Sequence, residues 1–301
     1  MTEDIYRFTL PDGTQLATGL LPETPESRAM AASYPVYGED FYLDKADIEK
    51  LLKGDTYKTF RRLRAPWVPN QGNLGSCNAQ ALVTAIHNRR NLDGLPHVAL
   101  SPNYVYQAIN GGQDRGSLLI DGLEFSKKGI APRKLKVNGT DAMFPNTVYN
   151  SRQVSAALMK AAQEAAPDYV SFEAYKLPVD NYETFKIATA SALARDHQLV
   201  IAFHVGNSSM NLRNGYIVVG RGPGNHAVVA HSAKWVGGSD IAAVDIFNSW
   251  GGGNPDPLYG PTGGGWGEGG FGLMTMQDLY ACTKYHVYYV IPGTAIKGRI
   301  Q

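Results

Sequence analysis

Partway along this chain the sequence changes its period, and that change limits the folds open to it. Between residues 77 and 165 apolar side chains recur at helical spacing, whereas from 198 to 291 short runs of β-branched and aromatic residues alternate with turn formers. Ala79, Leu82, Val83 and Ile86 share one face of a helix running from Cys77 towards Arg90. Ser101-Pro102 supplies a cap and a proline at the first helical position for a helix over 103–109. Two more helices are predicted over 118–128, ended by Gly129, and over 152–165, capped by Ser151, with another over 182–195. Strands are predicted over 198–205, 216–219, 226–235, 241–247 and 285–291. A helical half followed by a β half predicts an α+β protein of two lobes with a cleft between them, where sites tend to lie. The expected boundaries are a leader over 1–60 and a body over 61–301, whose helical lobe spans about 70–165 and β lobe about 166–295.

The leader is predicted to be mostly irregular, with one helix. Asp44 caps residues 45–53, where Ile48, Leu51 and Leu52 form an apolar face and Gly54 ends the helix, while Pro11, Pro22, Pro25 and Pro35 break up the remainder. Charge divides at the same boundary. Residues 1–60 carry 11 acidic and 6 basic side chains, against 16 acidic and 22 basic in the rest. Opposite signs favour a leader lying on the body, with Tyr6, Tyr34, Tyr37 and Tyr42 available to pack across the cleft; the alternative is a brace on the outside of one lobe. An overall charge of +1 gives no electrostatic reason to expect nucleic acid. No run approaches the ~18 consecutive apolar residues of a membrane span. Met1 to Pro11 has neither a basic start nor an apolar run, so cytoplasmic residence is the expectation, with signal-independent export left open.

The chemistry is concentrated in Gln71-Gly-Asn-Leu-Gly-Ser-Cys77, which sets a thiol after a glycine-flexed turn at a helix start. Free N–H groups and partial positive charge at a helix N-terminus favour thiolate over thiol, and Gln71 offers an amide donor nearby. Such a nucleophile needs a base and a group to orient that base. Of seven histidines, His226 stands where the glycine-rich Gly222-Pro-Gly-Asn turn enters an apolar strand, so its ring can project into a cleft. His231, five positions on, is expected on the opposite strand face. Asn248 ends a later strand and can hold the far imidazole nitrogen, with Trp250 shielding that bond from water. Residues 251–272 contain 11 glycines among 22 positions, but no Gly-Lys-Ser/Thr follows, which argues against a phosphate loop. The chain has two cysteines, Cys77 and Cys282; a nucleophilic Cys77 leaves none for a disulfide, which suits a reducing compartment.

Taken together, these residues resemble the papain family of cysteine peptidases. The matching runs are Gln71-Gly-x-x-Gly-Ser-Cys77, Asn225-His226-Ala-Val, Asn248-Ser-Trp-Gly and Gly265-Trp-Gly-Glu-x-Gly-Phe271, in the family's order. His226 follows Cys77 by 149 residues, inside the ~130–150 usual for that family, and Asn248 by 171, which implies an insertion between the two. The resemblance implies a papain-like fold with a helical left lobe and an antiparallel, β-barrel-like right lobe. It also implies hydrolysis of peptide or protein substrates through an S-acyl enzyme, without metal or cofactor. By the same likeness Cys77 is the nucleophile, His226 the base and then the acid, and Asn248 the orienting amide. Gln71 and the Cys77 backbone N–H would form the oxyanion hole, Trp250 would line the leaving-group side, and Gly116-Ser117 would offer a backbone edge to substrate. The chain departs from the pattern at Leu74, where the family's motif has its first cysteine, and at Asn78, where it has an aromatic residue. Its two cysteines do not allow the family's disulfides, and the leader is expected not to form a long helical pro-segment, a pattern that resembles microbial branches with short leaders. The rival readings are a non-proteolytic Cys-His acyltransferase and a catalytically silent binding protein on the same fold.

Overall fold

The computed structural model describes residues 5–9, 13, 15–54, 56–57, 69–95, 98–144, 154–166, 171–206, 209, 212–237, 241–251 and 266–295. Ser151 and most of the glycine-rich stretch lie outside these residues.

The leader has more structure than its prolines suggest. Strands β1 (Arg7–Thr9) and β2 (Gln15–Ala17) pair as an antiparallel hairpin. Pro25 begins helix α1 (Pro25–Ala32) instead of breaking the chain: it sits in the first turn, where a missing N–H costs nothing, and Thr24 and Ser27 cap each other reciprocally. Helix α2 (Lys45–Leu52) starts on Asp44, which accepts from Asp47 N at 2.7 Å. Its Ile48 and Leu52 are buried, while Leu51, expected on the same face, is exposed.

Helix α3 (Cys77–Leu92) is the hub. It packs on α4 (Pro102–Asn110) and α5 (Leu119–Ser126), and on strands β7 (Gln198–Phe203) and β10 (His226–Lys234). Surrounded in this way, it is buried well beyond one apolar face: Asn78, Gln80, His87 and Asn88 are also inside. Three of them find partners there, Asn78 on Ser117 and Leu118. Asn88 Nδ2 donates to Gln198 Oε1 at 3.0 Å, and His87 Nε2 accepts from Leu100 N at 3.0 Å. Ser101 caps α4 through Tyr104 N, as its Ser-Pro pair predicts. A hairpin interrupts the helical half, β3 (Lys134–Val137) against β4 (Thr140–Met143), and turns through Asn138-Gly139, both at positive φ. Helix α6 (Ala156–Ala165) is capped by Ser155, four residues later than expected, and α7 (Tyr182–Ala194) by Asn181.

The rest of the chain adds β5 (Ser171–Phe172), β6 (Tyr175–Lys176), β8 (Leu212–Arg213), β9 (Tyr216–Ile217), β11 (Ala243–Phe247), β12 (Phe271–Thr275), α8 (Met276–Cys282), β13 (Tyr289–Ile291) and β14 (Thr294–Ala295). Eight strands make one sheet in the order β6-β13-β7-β10-β11-β12-β9-β8, antiparallel except between β12 and β9. The fold is α+β, as expected, but the barrel-like lobe is an open sheet. Its end strands β6 and β8 do not pair with each other among the described residues. Every residue of β7 and all but the last of β10 are buried, because α3 and α7 pack on both strands. No helix among the described residues is long and apolar enough to cross a membrane. Leu82 lies at the α3 hub with 1% exposure. Leu82→Ala should therefore lower unfolding stability by about 2–5 kcal/mol, seen as a lower urea midpoint at unchanged slope.

Candidate active site

Cys77 is the first residue of α3, and Ser76 at the cap makes no side-chain bond to the first turn. Backbone amides of the first turn are thus left to face the sulfur. The preceding loop is fixed to the end of the β half: Gln71 N donates to Ser249 O at 2.8 Å and Gly251 N to Pro69 O at 2.9 Å. The Ser249 hydroxyl donates to Gln71 Oε1, which aims the Nε2 donors of Gln71 the other way. That nitrogen lies 2.7 Å from Leu74 O and 3.0 Å from Ala17 O.

His226 opens β10, and the turn before it is held at several points. Asn225 makes a two-point contact with the Val205 backbone, and His286 Nε2 lies 2.9 Å from Gly224 O. A Cβ on Gly224 would sit 2.8 Å from that same His286 nitrogen, so the close approach requires glycine. His226 Nε2 is 2.7 Å from Asn248 Oδ1, which also accepts from Ser249 N at 2.7 Å. An oxygen accepting twice fixes the proton on Nε2 and leaves the Nδ1 lone pair free to act as a base; Nδ1 has no hydrogen-bond partner. Trp250 stacks on the imidazole at 4.2 Å between centroids and 21° between planes. It thus covers the His–Asn bond, as the sequence predicts.

His231 belongs to a separate contact. It lies on the opposite strand face, as alternation predicts: its ring packs on Phe247 and Phe271, and Phe247 pairs with Val229, three positions from His226, while β10 bulges only beyond Ala230. There it sits beside Asp245, with Nε2 3.2 Å from Oδ2 deep in the protein.

The leader runs through the centre of this arrangement. Ser117 N donates to Gly19 O at 2.8 Å and Leu21 N to Ser117 O at 3.1 Å on the helical side, while Leu20 N donates to Asn225 O at 3.0 Å on the sheet side. Ala17 O accepts from both Gln71 Nε2 and, at 3.1 Å, Trp250 Nε1. Backbone contact this close depends on glycine. A Cβ on Gly19 would lie 2.0 Å from Gly75 O, and one on Gly116 would lie 2.5 Å from Gly19 O. Elsewhere the leader braces the body, with Tyr34 donating to Glu124, Tyr37 N to Lys176 O, and Trp235 N to Leu52 O. Covering and bracing are therefore done by different parts of one segment.

Burial sets the charge state. It pushes the Cys77 thiol up to about 11, although the amides of Ala227, Gly19, Asn78 and Cys77 itself pull the other way. It pushes His226 down to about 4, with the Asn248 bond opposing. Sulfur and imidazole are thus both neutral in the covered site, in place of the thiolate that the helix start favours. Among the described residues no group of three or more His, Cys, Asp or Glu is gathered to hold a metal.

No protein-family model matches this sequence, and no match is found among curated proteins. Solved structures do match. Xylellain, a cysteine protease from Xylella fastidiosa, aligns over 92% of this chain and 96% of its own at 21% identity and a TM-score of 0.57. Procathepsin B S9 from Trypanosoma congolense aligns over 94% and 87% at 14% identity and 0.56. Digestive procathepsin L 3 of the Tenebrio molitor larval midgut aligns over 79% and 68% at 14% identity and 0.52. This chain has a papain-like fold.

Within that papain-like fold, Gln71, Cys77, Trp250 and the Gly116-Ser117 edge touch the leader, and His226, held by Asn248, lies under Trp250. Asn78, a departure in the motif, ties this edge to α3: its Nδ2 donates to Leu118 O at 2.5 Å and to Ser117 Oγ at 3.2 Å. Sequence reasoning missed Asn78, Ser249, Gly19 and His286 as positioning groups. Only Gly19 carries a local signal, as the one glycine between Gln15 and Pro22. His197 and His286 are also held down to about 4, chiefly by burial. A histidine depressed in the folded state stabilises it fully above its ordinary 6.5, and that contribution fades as pH falls towards 4, by roughly 1.4 kcal/mol per pKa unit. The urea midpoint should accordingly hold steady above pH 6.5 and fall between 6.5 and 4, with a shallower fall in His226→Gln.

Proposed function

We propose that this chain is a cysteine peptidase whose leader covers its own active site. The reading is carried by one observation: an imidazole stacked under Trp250, with Nε2 held by Asn248 and Nδ1 unpartnered, on the residue next to Ala227, whose amide faces the Cys77 sulfur. Once the leader lifts, Nδ1 takes the proton from Cys77 Sγ. The thiolate then attacks the peptide carbonyl carbon, and the Cys77 N–H and Gln71 Nε2 donate to the oxygen as it gains charge. The tetrahedral centre collapses, the C–N bond breaks, and His226 passes its proton to the leaving amine. Water, deprotonated by the same nitrogen, attacks the thioester, releasing the acid product and restoring the thiol.

In the covered state the leader takes up donors that the mechanism assigns to substrate. A Gly19 amide faces the sulfur, while Ala17 O takes up the Gln71 donor. The leader also pairs parallel to Ser117.

Cys77→Ala should abolish hydrolysis of fluorogenic peptides under reducing conditions, and iodoacetamide should label Cys77 before Cys282; full turnover in the alanine variant would refute the assignment. Full-length Gly19→Ala cannot seat its new methyl against Gly75 O. It should raise both peptide turnover and Cys77 alkylation at least about tenfold, a factor that corresponds to only ~1.4 kcal/mol of lost docking. Unchanged rates in that variant would leave the leader as a brace alone.

A further inference from the structure

The loop that carries the Gly116-Ser117 edge also carries a carboxylate, Asp114, whose two oxygens do different things. Oδ1 is built into the protein: it accepts from Tyr106 Oη at 2.6 Å and from Gly75 N at 2.9 Å, and Tyr106 Oη in turn accepts from Gly116 N at 3.1 Å. Oδ2 faces outward and holds the guanidinium of Arg7 from the leader at 3.0 Å. As a surface ion pair this contact stabilises little, since the arginine side chain is 48% exposed. Its position is more informative than its strength. Gly75 lies two residues before the nucleophile and Gly116 begins the backbone edge, so Asp114 is fastened to both walls next to the reacting sulfur.

The space between those walls is filled by the leader. A Cβ on Gly75 would meet Ile5 Cδ1 at 2.7 Å and Tyr106 Oη at 3.0 Å. Ile5 thus occupies the volume above the Gly75 backbone, with Arg7 at its rim. A peptide that pairs with Ser117 and sets its carbonyl at Cys77 would direct the side chain next to that carbonyl into the same volume. Its floor is glycine backbone, its wall the Tyr106 hydroxyl, and its rim a fixed anion.

We propose that Asp114 makes the subsite for the residue on the acyl side of the scissile bond selective for arginine or lysine, and that Arg7 fills this cation position while the leader is docked. The inference rests on the peptidase reading but is tested apart from it. Full-length Gly19→Ala protein would be treated with peptidyl chloromethyl ketones bearing arginine, leucine or glutamate beside the reactive carbonyl, and Cys77 alkylation followed by mass spectrometry. Arginine should react at least about tenfold faster than leucine, and glutamate slowest, as a charge-assisted contact predicts. In the same background, Asp114→Asn keeps an acceptor for Gly75 N and Tyr106 Oη while removing the charge. The arginine-to-leucine ratio should then fall to within about twofold of one. Equal rates for the three reagents, or a ratio that survives Asp114→Asn, would overturn the proposal. A clear arginine preference in alkylation, with no hydrolysis of the matching peptide amide, would instead count against the peptidase reading and leave the subsite standing.

Discussion

Three backbones meeting without side chains between them hold this arrangement together. Gly19 lies against Gly75 on one side and Gly116 on the other, so the leader can reach the sulfur at main-chain distance. Any Cβ at the centre would have to displace a carbonyl, which cannot yield as the tip of a flexible side chain can. From this contact follow the hydrogen bonds of the leader to Ser117 and Asn225, the exclusion of water from Cys77 and His226, and the neutral state of both. Removal of water raises the cost of charging a thiol or an imidazole, and the amides around Cys77 only partly offset it. The cover therefore acts on the chemistry as well as on access.

A second constraint joins the two halves of the fold. The Gln71 loop precedes α3, and the Asn248-Ser-Trp run ends β11, yet their atoms interlock: backbone to backbone through Ser249 O and Pro69 O, and side chain to side chain through the Ser249 hydroxyl on Gln71. Each group thereby orients another. Ser249 N steadies the Asn248 oxygen that fixes the imidazole tautomer, while its hydroxyl sets the direction of the Gln71 donors. Trp250 next in line both covers the ring and donates to the leader. Three consecutive residues thus serve the base, the donor amide and the cover at once, a precision that separate loops would not hold as rigidly.

How much of this was legible in the sequence depended on whether local rules decided the outcome. Caps and periods were local, so α2, α4 and α7 emerged near their predicted limits, and so did the α+β division. The Asn138-Gly139 turn carried an equally local hairpin signal, but the helical reading of its surroundings overrode it. Pro25 was misread because proline marks a helix start as readily as a break, and only the Thr24–Ser27 pair distinguishes the two. The one-face reading of α3 fell short because tertiary surroundings, invisible in the pattern, bury a helix on several sides. At the site, residue types and order pointed to Cys77, His226, Asn248 and Gln71, since their chemistry is recognisable one residue at a time. Asn78, Ser249 and His286 were not, because each acts through a neighbour that the chain brings in from far away.

The two tasks of the leader also explain how it could open without leaving. Its anchors lie beyond the cleft: α1 reaches Lys284 O through Arg28, Tyr34 and Tyr37 pack on Tyr289, Tyr175 and His197, and α2 buries Ile48 and Leu52. The covering stretch adds main-chain bonds at the edges of the cleft and buries Phe8, Leu16, Ala17 and Leu20. On the peptidase proposal, uncovering the site therefore exposes these side chains while α1 and α2 keep the leader attached. On the same proposal, a displaced strand would stay tethered beside the cleft at a high effective concentration and compete with incoming peptide for the Ser117 edge. A substrate would then win that competition through contacts that the leader makes poorly, and the half-exposed Arg7 on Asp114 is the place where a better-fitted side chain would gain most.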